Sequence, residues 1–168
     1  MTISLPDPSL VLLIGVSGSG KSTFARRHFA PTEVVSSDHC RALVCDDEND
    51  QSVNQDAFEI LHLIARKRLE HHKLTVIDAT NVQSAARQHL LDLAREHEIP
   101  AVAIVLHLAE EICVQQNIQR SHRVVAQEVI QQQTNDLQFS LGQLSAEGFG
   151  QIYLLTTPEE INAAIVMR

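Results

Sequence analysis

Gly15-Val16-Ser17-Gly18-Ser19-Gly20-Lys21-Ser22 matches G-x-x-x-x-G-K-[ST] at every fixed position, in a chain with only six glycines. The loop follows an unbroken apolar run over 10–16 and leads into a helix predicted over 21–29, stopped by Pro31. An apolar run of that length reads as a strand buried on both faces, the kind found in parallel sheets. Glycines at the turn let successive backbone N–H groups face inward around phosphate oxygens, and the helix N-terminus adds a favourable dipole. Gly15, Ser17, Gly18, Ser19, Gly20, Lys21, Ser22 and Thr23 are therefore the candidate nucleotide-binding residues, with ATP as the expected ligand. Lys21 is expected to reach the β- and γ-phosphates, and the Ser22 hydroxyl to ligate Mg²⁺.

Downstream, strands and helices alternate. Strands are predicted over 33–36, 74–77, 101–108 and 151–155. Helices are predicted over 38–44, 53–71, 82–97, 110–119 and 124–140, with a short last helix opened by Pro158. Val53, Ala57, Ile60, Leu61, Ile64, Ala65 and Leu69 recur with the period of an amphipathic helix. This order predicts an α/β fold of the P-loop NTPase type: a parallel sheet with helices on both faces and a helical lid. Right-handed crossovers then place the strand C-termini, and the site, along one edge. No linker interrupts the pattern, so residues 1–168 are expected to form a single kinase domain.

Bulk properties exclude several classes. The longest apolar stretches are far shorter than the ~18 residues of a membrane span. Pro6-Asp7-Pro8 and the absence of an early Lys or Arg do not fit a signal peptide. Three cysteines, with no Cys-x-x-Cys pair, point to reduced thiols in a cytoplasmic protein. The net charge of −8 argues against a broad nucleic-acid groove but leaves room for contact with one or two terminal phosphates.

The residues around the loop bear on the acceptor. Asp38 follows the second strand, where it either accepts a proton from an attacking hydroxyl or caps the next helix. Arg41, three residues on, either holds an anionic substrate or is a surface charge. Arg120 and Arg123, about one turn apart, suit a lid closing on the triphosphate or a solvated basic face. Asp78 ends an apolar strand in the Walker B manner, yet Asp78, Thr80 or Asn81 capping the next helix is the slightly favoured reading. The acidic run Asp46-Asp47-Glu48-Asn49-Asp50 is read as a solvated loop without a catalytic role.

Together, the phosphate loop, Ser37-Asp38-His39-Cys40-Arg41, Asp46–Gln51, Asp78-Ala79-Thr80-Asn81 and Arg120-x-x-Arg123 resemble the kinase module of bacterial polynucleotide kinase-phosphatases. The similarity extends to Glu147-Gly148-Phe149 and the last strand. It implies transfer of the γ-phosphate of ATP to the 5′-OH end of RNA or DNA. In that reading Asp38 is the general base, Arg41 binds the neighbouring phosphate, and Arg120 and Arg123 belong to the lid. The sequence departs from the family pattern at Gln116, where an arginine is usual. Phosphatase and ligase modules accompany such kinases in longer proteins. A small-molecule kinase acting on a sugar acid, nucleoside or antibiotic, and a regulatory NTP-binding module, are the alternatives.

Overall fold

The computed structural model describes residues 1–120 and 125–168. Its central sheet has five parallel strands: β2 (Leu10–Ile14), β3 (Val34–Ser36), β4 (Thr75–Asp78), β5 (Ala101–Leu106) and β6 (Gln151–Leu155), in the order β3-β4-β2-β5-β6. The expected α/β architecture is therefore the observed one. Every residue of β2 is buried, as its unbroken apolar run requires.

Alternation along β2 divides the core in two. Leu10, Leu12 and Ile14 face a layer built by α3 (Asn54–Glu70), α4 (Ser84–Glu96), α5 (Glu110–Ile118) and α6 (Gln127–Leu141). Val11 and Leu13 face the other side, where α1 (Lys21–His28) packs through Phe24 and Ala25. One strand thus seeds both halves of the hydrophobic core. The chain leaves β2 through α1 toward β3 at one edge, then crosses back from β4 to β5 on the other side of β2. That reversal opens a crevice at the strand C-termini.

Helix α2 (Ser37–Cys45) follows β3 directly. Ser36 caps it by accepting from the His39 N–H at 3.4 Å, so Asp38 is not the cap. Asp46 ends it in a left-handed conformation. A 3-10 turn, Gln51–Val53, precedes α3, and the Asp50 carboxylate accepts from the Ser52 N–H to start it. The acidic segment is thus occupied largely with capping its own turns. Helix α7 (Pro158–Ala163) begins with Thr157 as cap and Pro158 in its first turn.

A second, two-stranded parallel sheet joins the chain ends: β1 (Thr2–Ser4) pairs with β7 (Ile165–Met167). Neither strand is apparent from sequence periodicity, because three residues are too few to show a pattern. The Tyr153 hydroxyl donates to the Ser4 carbonyl at 3.0 Å and accepts from its N–H at 3.1 Å, linking this sheet to β6.

The helical layer is fastened by one fully buried arginine. Arg87 of α4 donates from Nη2 to Glu147 Oε1 at 2.5 Å and from Nε to Oε2 at 2.7 Å. Its Nη1 donates to the Asn81 carbonyl at 2.7 Å and to Ser140 Oγ at 3.4 Å. Burial would raise the Glu147 carboxyl, but hydrogen bonding and charge from Arg87 hold it below the ordinary carboxylate range. Breaking a buried pair strands a charge. Glu147→Ala is expected to cost about 3–5 kcal/mol in urea unfolding, and the double variant Arg87→Met/Glu147→Leu to recover most of that.

Candidate active site at the phosphate loop

The phosphate loop leaves β2 and enters α1 at Lys21, as its motif predicts. Gly20 is the N-cap of α1 with φ 95°, and Gly18 has φ 88°. At Gly18 glycine is needed for room as well as for dihedral freedom. A Cβ there would lie 2.2 Å from the carbonyl oxygen of Cys113 on α5. The loop therefore runs directly against the α5 backbone. Its stem is held from the other side. The Gly15 N–H donates to the Thr80 carbonyl at 2.9 Å, and Asn81 Nδ2 donates to the Leu13 carbonyl at 2.8 Å.

Asn81 adopts φ 50°, so the chain between β4 and α4 turns sharply beneath the loop. This corrects the capping expectation for Asp78, Thr80 and Asn81. Gln83 is the N-cap of α4 and makes no side-chain cap bond. Asn81 instead anchors β2, while Asp78 is buried and lines a cavity with Ser22 and Lys21.

A cavity of about 310 Å³ opens at the C-terminal edge of β3 and β4, lined by Lys21, Ser22, Asp38, Arg41, Asp78 and Arg120 among others. The structure thus gathers the sequence-predicted Lys21, Ser22, Asp38, Arg41 and Arg120 around one space. Arg123 lies outside the described residues. A second cavity of about 760 Å³, beside α1, meets the first at Ser22, Asp38, Asp78 and Arg120.

Asp38 and Arg41 form an ion pair across one turn of α2. Arg41 is buried, whereas the Asp38 side chain is 32% exposed toward the cavity. Arg41 Nε also donates to the Glu48 carbonyl at 2.8 Å, and Nη1 to Asn54 Oδ1 at 2.9 Å. The acidic loop contributes here through its backbone: Glu48 offers a carbonyl that orients the guanidinium. Periodicity did not mark this, because a main-chain acceptor has no side-chain signature.

Charge at the loop is set by burial. Lys21 donates from Nζ to the Val16 carbonyl at 2.8 Å and lies within 3.5 Å of Ser19 Oγ. Burial lowers its pKa to about 8, with Asp78 pulling it back up and Arg120 lowering it further. Burial likewise raises Asp78, partly offset by Lys21 and by the hydrogen bond from Ser22. The Ser22 hydroxyl and Asp78 carboxylate together form a pair of hard oxygen donors suited to Mg²⁺, which takes few protein ligands beside phosphate oxygens and water.

A third, smaller cavity of about 130 Å³ lies across the loop, lined by Ser19, Gly20, Thr23, Arg27, Gln116 and Asn162 among others. The predicted loop residues therefore divide. Ser17, Lys21 and Ser22 face the first cavity, with Asp38; Ser19 and Gly20 face the third, with Gln116; Thr23 lines both the second and the third. Gly15 lies at the stem, where a Cβ would meet Ser19 Oγ at 2.6 Å and the Leu106 carbonyl at 2.7 Å. Cys40 and Cys113 are buried free thiols, both raised by burial, Cys113 to about 11. Among the described residues, no group of three His, Cys, Asp or Glu side chains could hold a metal, and no helix is long and apolar enough to cross a membrane.

A phosphate loop at a sheet switch point, with an acid and basic groups lining the adjoining cavity, defines a P-loop kinase, a class of phosphotransferase. The model of the AAA domain family matches residues 10–144, and the chain belongs to that family. A bifunctional polynucleotide phosphatase/kinase from Schizosaccharomyces pombe is 31% identical over 114 residues, covering 66% of this chain and 24% of that protein. A chain of the Pnkp1/Rnl/Hen1 RNA repair complex superposes with a TM-score of 0.70 at 23% identity, covering 83% of this chain and 47% of that one. A gluconokinase from Sinorhizobium meliloti 1021 superposes with a TM-score of 0.58 at 16% identity, covering 94% of this chain and 87% of that one. The chain thus spans about a quarter of the length of the curated relative and about half of the repair-complex chain.

The depressed Lys21 value has a measurable consequence. Above about pH 8 the free protein carries Lys21 largely neutral, whereas bound phosphates favour the ammonium. Binding of ATP is expected to take up close to one proton at about pH 9 and almost none at about pH 6.5. Calorimetry in buffers of different ionisation enthalpy reads this directly, and Lys21→Met is expected to abolish the difference.

Proposed function

We propose that this chain, acting as one kinase domain, transfers the γ-phosphate of ATP to the 5′-OH end of an RNA or DNA strand. The observation that carries this reading is the Asp38–Arg41 pair at the wall of the cavity shared with Lys21, Ser22 and Arg120. It sets a carboxylate that accepts a hydroxyl proton beside a guanidinium that suits a phosphate next to that hydroxyl. The homology to a polynucleotide phosphatase/kinase supports the same acceptor.

In this mechanism the 5′-hydroxyl oxygen attacks the γ-phosphorus, the bond to the β–γ bridging oxygen breaks, and ADP leaves. Asp38 receives the hydroxyl proton. Lys21 and Arg120 meet the charge spread over the transferring phosphoryl oxygens. Mg²⁺ would be held by Ser22 with Asp78 and, when bound, neutralises charge on the β- and γ-phosphates. Arg123 is assigned with Arg120 to the lid on the motif alone. Ser19, Gly20, Thr23 and Gln116 face the nucleoside end, where a neutral amide replaces the arginine usual in the family.

The net charge of −8 fits contact with a strand terminus rather than a long track. Phosphatase or ligase modules in a longer protein are the partners this reading implies, and a cytoplasmic setting suits it. The acidic net charge also suits a second reading, a sugar-acid or other small-molecule acceptor, on a fold shared with a gluconokinase.

The test is transfer of labelled γ-phosphate to a 5′-OH oligonucleotide, beside a 5′-phosphate oligonucleotide and gluconate. Label on the 5′-OH strand alone is expected, and label on gluconate alone would move the assignment to the second reading. Asp38→Asn is expected to lower kcat by about 10²–10⁴-fold with ATP binding retained. A rate near that of the parent chain would remove Asp38 from proton transfer.

A further inference from the structure

We propose that Gln133, on α6, is a γ-phosphate contact that distinguishes ATP from ADP. Nothing in the sequence marks this residue, since it is one of three consecutive glutamines in a predicted helix. In the folded chain it is half-buried, lines the cavity with Lys21, Ser22, Asp38 and Arg120, and accepts from the backbone N–H of Ser17 at 2.8 Å.

The orientation of the amide follows from chemistry. The Ser17 N–H is a donor, so the atom facing it must be the carbonyl oxygen Oε1. Nε2 then carries two N–H donors that make no hydrogen bond to a described residue. It is not among the buried unpartnered atoms, as expected for a group facing the cavity.

The helix bearing Gln133 is fixed rather than loosely laid over the loop. Asp136 Oδ2 accepts from Gln83 Nε2 at 2.8 Å, and Ser140 Oγ donates to the Val82 carbonyl at 2.6 Å. Asn117 of α5 brackets Val125 just before α6, donating to its carbonyl at 2.7 Å and accepting from its N–H at 3.0 Å. Ser140 also receives Arg87, which holds the Asn81 turn under the loop stem. Loop, β4–α4 turn and α6 thus form a closed ring of contacts, with Gln133 as its last link.

The two cavities decide which phosphate Gln133 meets. Ser17 faces the side holding Asp38, where the terminal phosphoryl must lie for a hydroxyl to attack it. Ser19 and Gly20 face the opposite side. With Oε1 engaged by Ser17, Nε2 donates to an oxygen of the γ-phosphate. ADP lacks that oxygen and gains nothing from the contact.

The inference rests on ATP being the donor and on Asp38 marking the acceptor side, and is independent of which hydroxyl compound is the acceptor. The experiment compares binding of Mg²⁺·β,γ-imido-ATP and Mg²⁺·ADP to the full chain and to its Gln133→Ala and Gln133→Glu variants. The parent chain is expected to prefer the triphosphate analogue. Gln133→Ala is expected to lose about tenfold or more in affinity for the analogue, with ADP affinity unchanged. Gln133→Glu, which keeps an acceptor for Ser17 but sets a carboxylate against the phosphate, is expected to lose at least as much.

Tighter binding of both nucleotides to Gln133→Ala would identify a plug displaced by phosphate and overturn the proposal. Equal losses for both nucleotides would make Gln133 a prop for the loop and overturn it as well, as would no change or no triphosphate preference in the parent chain. A parent chain that binds neither nucleotide overturns the donor reading and this inference together. Failure to phosphorylate any oligonucleotide overturns only the acceptor assignment, because the comparison contains no acceptor.

Discussion

The phosphate loop takes its shape from contacts outside itself. Gly15 hangs from the Thr80 carbonyl, and Asn81 ties the turn beneath it to Leu13 of the preceding strand. Gly18 lies so close to the Cys113 carbonyl that no side chain fits between them. The loop is therefore clamped between the β4–α4 turn and the backbone of α5. An anion site built from backbone N–H groups needs such external support, because its donors must point inward toward the ligand. The rest of the helical layer can be understood as holding those two clamps in place.

Arg87 is the centre of that support. It joins the Asn81 turn to Glu147 and Ser140, and through Ser140 to the helix that presents Gln133. A buried arginine with this many acceptors contributes less through net attraction than through definition of one arrangement, since any alternative leaves a charge unpaired. The same logic holds at the site. Lys21 and Asp78 are each pushed toward neutrality by burial and each partly restored by the other, so incoming phosphate or Mg²⁺ meets groups whose charge it can complete. Although the chain is acidic overall, Lys21, Arg41 and Arg120 come together at one cavity.

The phosphate loop borders cavities on two sides. Ser17, Lys21 and Ser22 share a cavity with Asp38 and Arg41, while Ser19, Gly20 and Thr23 share another with Gln116. Similarity to both a polynucleotide phosphatase/kinase and a gluconokinase is intelligible on this plan. A fold shared among kinases does not by itself fix the acceptor.

Local sequence determined the loop, the strand beneath it and the helix after it, because a glycine-rich turn and an unbroken apolar run are short-range constraints. It also placed Asp38, Arg41 and Arg120 at strand and helix ends, where the topology of a parallel sheet gathers side chains. The pairing of β1 with β7, the Glu48 carbonyl on Arg41, the Arg87–Glu147 bond and the reach of Gln133 to Ser17 were decided only by the tertiary structure. Asp78 belongs with these: its strand end was legible, but only the packed structure showed it to line the cavity with Ser22 and Lys21 rather than to cap the next helix. Each joins groups far apart in the chain, or uses a backbone atom that every residue possesses. Periodicity and motif spacing register what neighbours along the chain must do, whereas these contacts exist only once the packed sheet has brought its edges together.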